Sequence, residues 1–282
     1  MKIAVLADIH GNYIALKTCV EYILERGITT FIFLGDYLGD LPYVHETMQY
    51  LYELNETYDC YFIKGNKEDY WLNFDPAWKA PGSTTGCLAY TYQQLTPEDL
   101  SFFQKLQISQ TLTLEQRRPL LICHGSPDRI NEKMLPNNER TLEILQHSPV
   151  HLILCGHTHV QSVISAGQTI AVNPGSVGMS LNGHGKAQFA ILNDNSGNWD
   201  YELVSLAYDV EQTIRALQEK GLSNAAPFWC KVTEYVLRTG KVSHGTVLGK
   251  AMALCREELG ECHWPDIPER FWEMAVQELI KR

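Results

Sequence analysis

The sequence has no apolar run that approaches the ~20 residues needed to cross a membrane, which excludes a membrane-spanning protein. It also has no excess of basic residues, because 23 Lys and Arg stand against 33 Asp and Glu, a formal net charge of −10. Proteins that coat nucleic acid or anionic membranes need the opposite balance, so neither is an expected partner. Repeats and low-complexity segments are absent as well, and a homo-oligomer is compatible with what remains.

The cysteines lack the spacing of a disulfide framework or of a structural zinc site. Eight are scattered over 282 residues with no C-x-x-C pair, which predicts reduced thiols in the cytoplasm. The apolar stretch Ile3–Ala7 resembles the start of a signal peptide, but Asp8 and His10 interrupt it short of the ~7–15 residues of a hydrophobic region. We therefore interpret this stretch as a buried first strand and expect a cytoplasmic protein.

What the sequence does contain is an alternation of apolar strands and helical patterns. The first strands and helices are Lys2–Ala7, Asn12–Arg26, Phe31–Leu34, Val44–Leu54 and Tyr58–Ile63. This order predicts a largely parallel sheet with right-handed crossovers. Further strand patterns continue to Ser205, and only helical patterns follow Asp209, the last of them over Pro268–Lys281. The sequence thus predicts an α/β domain over residues 1–207 and a helical C-terminal extension over residues 208–282.

Five short polar motifs each follow an apolar strand. They are Asp8-Ile9-His10-Gly11-Asn12, Gly35-Asp36, Gly65-Asn66-Lys67-Glu68, His124-Gly125 and Gly156-His157-Thr158-His159. Open α/β sheets place ligands at the carboxyl ends of their strands, and neighbouring strands lie only ~4.8 Å apart. Each motif alone is typical of a turn or a helix cap. Five of them in this arrangement favour a single site.

The side chains of these motifs are two aspartates, one asparagine amide and four histidines. Mixed nitrogen and oxygen donors suit Mn, Fe, Zn or Ni better than Ca²⁺ or Mg²⁺. Seven donors exceed the needs of one ion with an open position, whereas two ions sharing one carboxylate would use about four each. Two ions ~3.5–4 Å apart are suited to clamping a phosphoryl group and activating water.

The order D-x-H, G-D, G-N, H, G-H-x-H resembles the calcineurin-like metallophosphoesterase superfamily, over roughly residues 1–207. Asp8–Asn12 and Asn173–Gly178 are similar to its small bacterial phosphodiesterase branch, although we expect Asn173–Gly178 to be a turn packed under the site. The resemblance implies a four-layer αββα sandwich of two mixed sheets. It also implies hydrolysis of phosphoesters by direct attack of a metal-bound hydroxide, without a phosphoenzyme.

The resemblance further implies which residues bind the two ions. The first ion would be held by Asp8, His10, Asp36 and His159. The second ion would be held by Asp36, Asn66, His124 and His157. Asp36 would bridge the two. We expect divalent or mixed-valence Mn or Fe, with Zn or Ni as alternatives.

One residue departs from the family pattern, because Lys67 stands where the family usually has a histidine. A lysine can offset charge on phosphoryl oxygens, but an unperturbed pKa of ~10.4 makes it a poor proton donor. We predict Lys67 and Asp36 as catalytic residues, and Lys67 and Asn12 as contacts to the substrate. For Asn12, a helix N-cap is an equally good interpretation.

These observations lead to one main hypothesis and two alternatives. The main one is a dinuclear phosphoesterase that hydrolyses phosphodiesters or nucleotide phosphoanhydrides, including dinucleoside polyphosphates, so its partner would be a small phosphorylated molecule such as a nucleotide. The alternatives are a protein phosphatase, and a low-activity module on the same fold that binds nucleotide or protein. Trp229, Trp264 and Trp272 are expected to be core or docking residues rather than a platform for stacking bases.

Overall fold

Two five-stranded mixed sheets form the centre of the protein. The computed structural model describes residues 1–79, 82–115 and 117–280. The first part of the chain forms β1 (Lys2–Leu6), α1 (Tyr13–Leu24), β2 (Thr30–Phe33), α2 (Val44–Thr57), β3 (Asp59–Phe62), α3 (Asn66–Leu72), α4 (Gly86–Tyr92) and α5 (Pro97–Lys105). The second part forms β4 (Ser109–Leu112), β5 (Leu120–Cys123), α6 (Glu139–Gln146), β6 (Leu152–Leu154), β7 (Ser162–Ala166), β8 (Thr169–Asn173), β9 (Lys186–Asn195) and β10 (Asn198–Ala207). The C-terminal region forms α7 (Val210–Glu219), α8 (Leu222–Ala225), α9 (Pro227–Thr239), α10 (His244–Leu259) and α11 (Glu269–Leu279).

The first sheet has the order β10-β9-β1-β2-β3, and the second has the order β4-β5-β6-β8-β7. In the first sheet β1, β2 and β3 are parallel, while β9 runs antiparallel to β1, so that Val5 lies opposite Ile32 on one side and Ala190 on the other. In the second sheet β5, β6 and β8 are parallel. Each parallel set brings its carboxyl ends to one edge, where the polar motifs begin.

The two sheets pack face to face and are covered by helices on both outer sides. Ile3 and Val5 of β1 share one apolar cluster with Ile122 and Leu154 of the second sheet. Residues of the opposite parity in β1 pack with α1 and α2 instead, as the alternation of side chains along a strand requires. On the far side, α6 covers the second sheet through Leu145. The predicted αββα sandwich is confirmed.

Three of the described elements were not anticipated from the sequence, namely β7, α6 and the four-residue helix α8. The strand β7 lies at a sheet edge and buries only Ile164, so its pattern is weak. Helix α6 has eight residues, too few for a clear helical period. Helix α2 also runs to Thr57, three residues beyond the predicted end. The last predicted helix ends at Leu279, and Lys281 lies outside the described residues.

The C-terminal helices form an apolar core of their own, centred on Leu217, Val247 and Trp272. Leu41 and Met179 of the preceding α/β region belong to the same core, so the helices pack directly onto the loops at the strand ends. The division into domains at residue 207 stays a prediction. Within the part of the chain that the structure describes, no helix is long and apolar enough to span a membrane.

Candidate metal centre

The loops after β2 and β3 approach each other so closely that only glycines fit between them. A Cβ atom on Gly35 would lie 2.4 Å from the backbone nitrogen of Gly65, and one on Gly65 would lie 2.2 Å from the backbone nitrogen of Asp36. Gly35 also has φ +86°, a conformation that favours glycine. This close approach places Asp36 and Asn66 side by side, with Oδ1 of Asp36 accepting a hydrogen bond of 2.8 Å from the backbone N–H of Lys67.

A first group of donors consists of Asp8, His10 and His159, whose ligand atoms all lie within 4.8 Å of one another. Nε2 of His10 is 3.0 Å from Nε2 of His159, which in turn is 3.6 Å from Oδ1 of Asp8. Oδ2 of Asp36 lies 3.7 Å from Nε2 of His10. These are the four residues predicted for the first ion, and the structure brings them together.

A second group consists of Asp8, Asp36 and His124, again with donor atoms within 4.8 Å. Nε2 of His124 is 3.5 Å from Oδ1 of Asp36 and 3.0 Å from Oδ1 of Asn66. The His157 ring is 5.1 Å from the His124 ring, measured between centroids. Asp36 thus directs one carboxylate oxygen toward each group, while Oδ1 of Asp8 lies 4.0 Å from His124 and is also near both.

Three imidazoles in the cluster are held in one orientation by their second ring nitrogen. Nδ1 of His124 is 2.7 Å from the carbonyl oxygen of Leu34, and Nδ1 of His159 is 2.9 Å from that of Met179. Nδ1 of His10 is 2.8 Å from Oδ2 of Asp40. A ring that donates from Nδ1 to such an oxygen presents its Nε2 lone pair to the cluster, as metal-binding histidines do.

The electrostatics of the cluster also fit bound cations. Burial, followed by the negative charge of Asp36, raises the pKa of Asp8. Burial disfavours the charged form of Asp36 too, but His124 and His10 outweigh it and lower the pKa of that carboxyl. Burial, and then His124, lowers the pKa of His157 to about 4. Imidazoles beside two crowded carboxylates form a donor set that a divalent cation stabilises.

Five of the seven predicted ligands have a backbone conformation that is rare outside glycine. Their φ angles are +54° for Asp8, His10 and Asp36, +65° for His157 and +59° for His159. Hydrogen bonds between strand ends hold these conformations, including one of 2.9 Å from the N–H of His10 to the carbonyl of Asp36. Such strain persists where the surroundings over-determine it, typically at functional sites.

Sequence reasoning missed Asp40, which is buried behind His10. Besides its contact with His10, its Oδ1 accepts a hydrogen bond of 2.8 Å from Nε1 of Trp229, and its Oδ2 is 3.1 Å from Nζ of Lys67. These partners hold the pKa of Asp40 well below its usual range, although burial opposes them. The only signal in the sequence was the repeat of Gly-Asp at Gly39-Asp40, with no strand directly before it.

The role of Glu68 was also missed. Its carboxylate is fully buried and accepts hydrogen bonds from the backbone N–H groups of Asp36, Tyr37 and Gly65, at 2.9, 2.9 and 2.7 Å. Burial and the charge of Asp36 raise the pKa of Glu68, while the three N–H donors act in the opposite direction. Glu68 therefore fastens the loop after β2 to the start of α3, which fixes Asp36 relative to Asn66.

Lys67 lies beside this cluster, and its ammonium is paired with Asp40. Nζ lies 3.1 Å from Oδ2 of Asp40 and 5.8 Å from the centroid of the Trp229 ring. Burial disfavours the charge on Lys67, but Asp40 outweighs it and raises the pKa of the ammonium. Lys67 thus carries a stable positive charge beside the cluster.

Asn12 is the N-cap of α1 in the structure. Its Oδ1 accepts from the backbone N–H of Ala15 at 3.2 Å, and its Nδ2 donates to the carbonyl of Gly178 and to the hydroxyl of Tyr208. The side chain is fully buried, and these partners occupy its amide. The contact between Asn12 and the substrate stays a prediction.

The turn after β8 lies under the site, as expected. Nδ2 of Asn173 donates to the carbonyl of Gly156 at 2.7 Å and to Oγ1 of Thr158 at 3.0 Å. Oγ of Ser176 donates to the carbonyl of Asp8 at 2.7 Å. The turn therefore fixes the backbone at Asp8 and next to His157.

The metal centre forms part of the lining of a cavity of about 360 Å³, and the C-terminal helices line the same cavity. The structure separates the three C-terminal tryptophans that the sequence grouped together. Trp272 is buried in the helical core and donates to Oγ1 of Thr84. Trp229 and Trp264 line the cavity instead.

Comparison with known proteins identifies the class. The model of the calcineurin-like phosphoesterase superfamily domain matches residues 1–221, and the chain belongs to this family. It is therefore a metal-dependent phosphoesterase, and the resemblance drawn from the motifs is confirmed.

Similar proteins are found at low sequence identity. An uncharacterized protein of Methanocaldococcus jannaschii is 24% identical over 253 residues, which cover 80% of this chain and 94% of that protein. The crystal structure of a hypothetical protein from Pyrococcus horikoshii has a TM-score of 0.72 at 21% identity, covering 86% of this chain and 99% of that one. A metallophosphoesterase from Sphaerobacter thermophilus has a TM-score of 0.63 at 20% identity, covering 83% and 100%.

Proposed function

We propose that this chain is a dinuclear phosphoesterase of the cytoplasm that hydrolyses small phosphodiesters or nucleotide phosphoanhydrides, dinucleoside polyphosphates among them. The observation that carries the proposal is the placement of Asp36, whose two oxygens face two separate groups of nitrogen and oxygen donors. Eight free thiols fit the reducing compartment.

The donors divide between two ions as the family resemblance implied. Asp8, His10, Asp36 and His159 would hold the first ion. Asn66, His124 and His157 would hold the second together with Asp36, which bridges. Nitrogen and oxygen donors in these numbers suit Mn or Fe, and Zn or Ni would also fit. When bound, such a pair of ions polarises the phosphoryl group and activates water.

Lys67 would offset negative charge on the phosphoryl oxygens. Together with Lys133 it is one of two cationic side chains among the described residues that line the cavity. Because its pKa is raised, Lys67 keeps its proton and contributes charge rather than general-acid catalysis. Substrates whose leaving group needs no proton, such as anhydrides and aryl esters, are therefore favoured.

Two features support a small substrate over a protein or a nucleic acid. The C-terminal helices wall the cavity that contains the cluster, so the reacting phosphoryl group must enter a confined space. The net charge of −10 disfavours a polyanionic partner. A protein phosphatase, the first alternative, would need a more open approach to the centre.

A direct test is the turnover of bis(4-nitrophenyl) phosphate by the chelator-treated protein after addition of Mn²⁺, Fe²⁺, Zn²⁺ or Ni²⁺. We expect turnover that depends on added metal and is lost in Asp36→Asn, which serves as the matched control. Absence of turnover with all four metals, in protein shown by elemental analysis to contain two ions, would contradict the proposal.

One observation favours the second alternative, a binding module. Lys67 occupies the position of the usual histidine, and Asp40 holds its ammonium. A module of this kind would bind nucleotide at the metal centre without turning it over. Tight nucleotide binding by metal-loaded protein that shows no turnover would favour it.

A further inference from the structure

Beyond the metal centre, the cavity is lined mainly by apolar and aromatic side chains, with Thr84, Lys133, Ser243 and His244 among them. Tyr70 comes from α3, Leu88 from α4, Trp229 from α9 and Leu248 from α10, and Trp264 precedes α11. The carboxylates among the described lining residues are Asp36 and Asp40, and both serve the metal centre. Apart from Lys133, the described lining residues on this side offer apolar surface, rings and small polar groups rather than the cations that would hold a long anionic chain.

Part of this wall is a cluster of aromatic rings that are exposed to solvent. The side chains of Tyr70 and Trp264 are 37% and 40% exposed, which is unusual for residues of this size. The ring of Trp78 meets both of them edge-on, at centroid distances of 5.9 Å from Tyr70 and 5.3 Å from Trp264. Trp78 therefore holds the two rings in place where they line the cavity.

At its inner end the wall is fixed to the metal centre. Nε1 of Trp229 donates to Asp40, which contacts the ligand His10. One face of the Trp229 ring stacks on His244 at a centroid distance of 4.4 Å, and Nε2 of His244 is 2.9 Å from Oγ1 of Thr233. Asp40 alone thus separates the apolar wall from the predicted metal ligand His10. Hydrogen bonds hold the wall in position at this end.

We infer that the C-terminal helices and α3 form a subsite for the organic group of the substrate, and that this group is a planar aromatic ring, as in a nucleobase or an aryl ester. The inference rests on the proposed function, because a phosphoryl group at the metal centre fixes the other end of the substrate. A cavity of about 360 Å³ lies within the usual range for small-molecule sites. Flat rings stack on aromatic side chains, as bases do in single-strand binding sites.

Other organic groups fit the wall less well. The hydroxyl groups of a sugar phosphate would lose water where they face Leu88, Leu248 and the tryptophan rings, whose carbon surfaces accept and donate no hydrogen bonds. A short alkyl group would leave most of the aromatic surface uncovered. The wall therefore selects for a ring, whereas the metal centre selects for the phosphoryl group.

The test compares Trp264→Ala with Tyr201→Ala. Tyr201 is 39% exposed on β10 and lies outside the cavity lining, so it controls for loss of an exposed ring. Equilibrium binding of adenosine 5′-monophosphate, phenyl phosphate, ribose 5-phosphate and inorganic phosphate to the metal-loaded proteins is measured by calorimetry. Steady-state kinetics on bis(4-nitrophenyl) phosphate are measured in parallel.

We expect Trp264→Ala to weaken binding of adenosine 5′-monophosphate by roughly 5- to 100-fold, the range for loss of one stacked base. Binding of ribose 5-phosphate and inorganic phosphate should not change. KM should rise more than kcat falls, and Tyr70→Ala should act in the same direction. Tyr201→Ala should match the wild type. A preference for adenosine 5′-monophosphate over phenyl phosphate would assign the subsite to a nucleobase, and equal binding would assign it to a simple aryl ring.

The result that would overturn the subsite is turnover by the wild type together with equal affinity for adenosine 5′-monophosphate and ribose 5-phosphate, unaffected by Trp264→Ala. That result leaves the proposed function intact. Absence of turnover with every metal, combined with ring binding that depends on Trp264, would instead remove the proposed function and retain the subsite.

Discussion

The floor and the wall of the active-site cavity are built in opposite ways. The floor consists of short polar motifs after β1, β2, β3, β5 and β6, with buried charges, strained backbone and imidazoles that are oriented by a second hydrogen bond. The wall consists largely of helices remote in sequence, with apolar side chains and exposed rings. Asp40 joins the two, since it contacts His10 on one side and Trp229 on the other.

This difference indicates a division of labour. A reaction that all members of a family share needs fixed donors, and strand ends provide them with little freedom. The choice of substrate can be left to a region that packs onto the strand ends and is free to vary. On this view, changes in the floor should abolish metal binding and turnover, while changes in the wall should alter affinity for the organic group.

The largest effect is expected for Asp36→Asn. Removing a charge shared by two cations should lower turnover of an aryl diester by more than about 100-fold, beyond the 10- to 100-fold typical of changes in residues that only orient a metal ligand. Elemental analysis should find fewer than two ions, whereas His159→Asn should lose mainly one. If Asp36→Asn retains two ions and near-normal turnover, Asp36 does not bridge the ions. If Asp8→Asn loses both ions while Asp36→Asn does not, Asp8 is the bridging residue.

Removal of the metal should destabilise the fold. Asp8 and Asp36 are buried together, and the raised pKa of Asp8 reports the cost of holding both charges there. An ion that binds only the folded state stabilises it by ~2.7 kcal/mol per site at a hundredfold excess over Kd. Chelation should therefore lower Tm in calorimetry, and Mn²⁺ should restore it. Trp264→Ala should show the same rise in Tm on metal binding as the wild type, because the wall does not bind the ions.

An unchanged melting curve after verified removal of the metal would count against a centre built into the sheet edge. A smaller rise in Tm on metal binding in Trp264→Ala than in the wild type would show that the wall contributes to metal binding.

Asp40→Asn should weaken metal binding by about 10- to 100-fold, because it loosens the orientation of His10. Trp229→Phe keeps the ring and removes only the hydrogen bond to Asp40, so its effect should be smaller. Titration of the metal against a competing chelator measures both variants. Affinity equal to that of the wild type in Asp40→Asn would show that His10 needs no such support.

Lys67→His should leave metal binding unchanged and should alter only how the rate depends on the leaving group. General-acid catalysis contributes typically ~10²–10⁴-fold, and an imidazole that titrates near neutral pH could restore part of it for poor leaving groups. A plot of log rate against leaving-group pKa should be steep in the wild type and shallower in Lys67→His. Lys64→His, whose lysine pairs with Asp69 outside the cavity lining, is the matched control. A shallow slope that Lys67→His leaves unchanged would remove the role proposed for Lys67.

The floor could be read from the sequence because its residues follow recognisable strands. Asp8, Asp36 and His124 each come within two or three residues of a buried strand, and topology alone brings such positions together. Asp40 could not be found in this way, since it lies in a loop and acts through His10. For Asn12 the sequence left two roles open, and the structure shows the N-cap together with its contacts to Tyr208 and Gly178.

The wall could not be read from the sequence for a physical reason. Trp229 lies on a helical pattern and Trp264 lies in the turn before the last helix. The burial of both depends on how the C-terminal helices pack, and no local signal records that packing. The sequence separated the helical region from the α/β region but did not show that both would line one cavity. Tertiary packing alone placed Trp272 in the core and Trp264 at the cavity.

The central claim is that two ions share Asp36, and anomalous scattering from crystals grown with Mn²⁺ tests it most directly. Two peaks are expected, one on each side of the Asp36 carboxylate. One should lie beside His10 and His159 and the other beside His124 and His157. A single peak, or two peaks that do not share Asp36, would contradict the account.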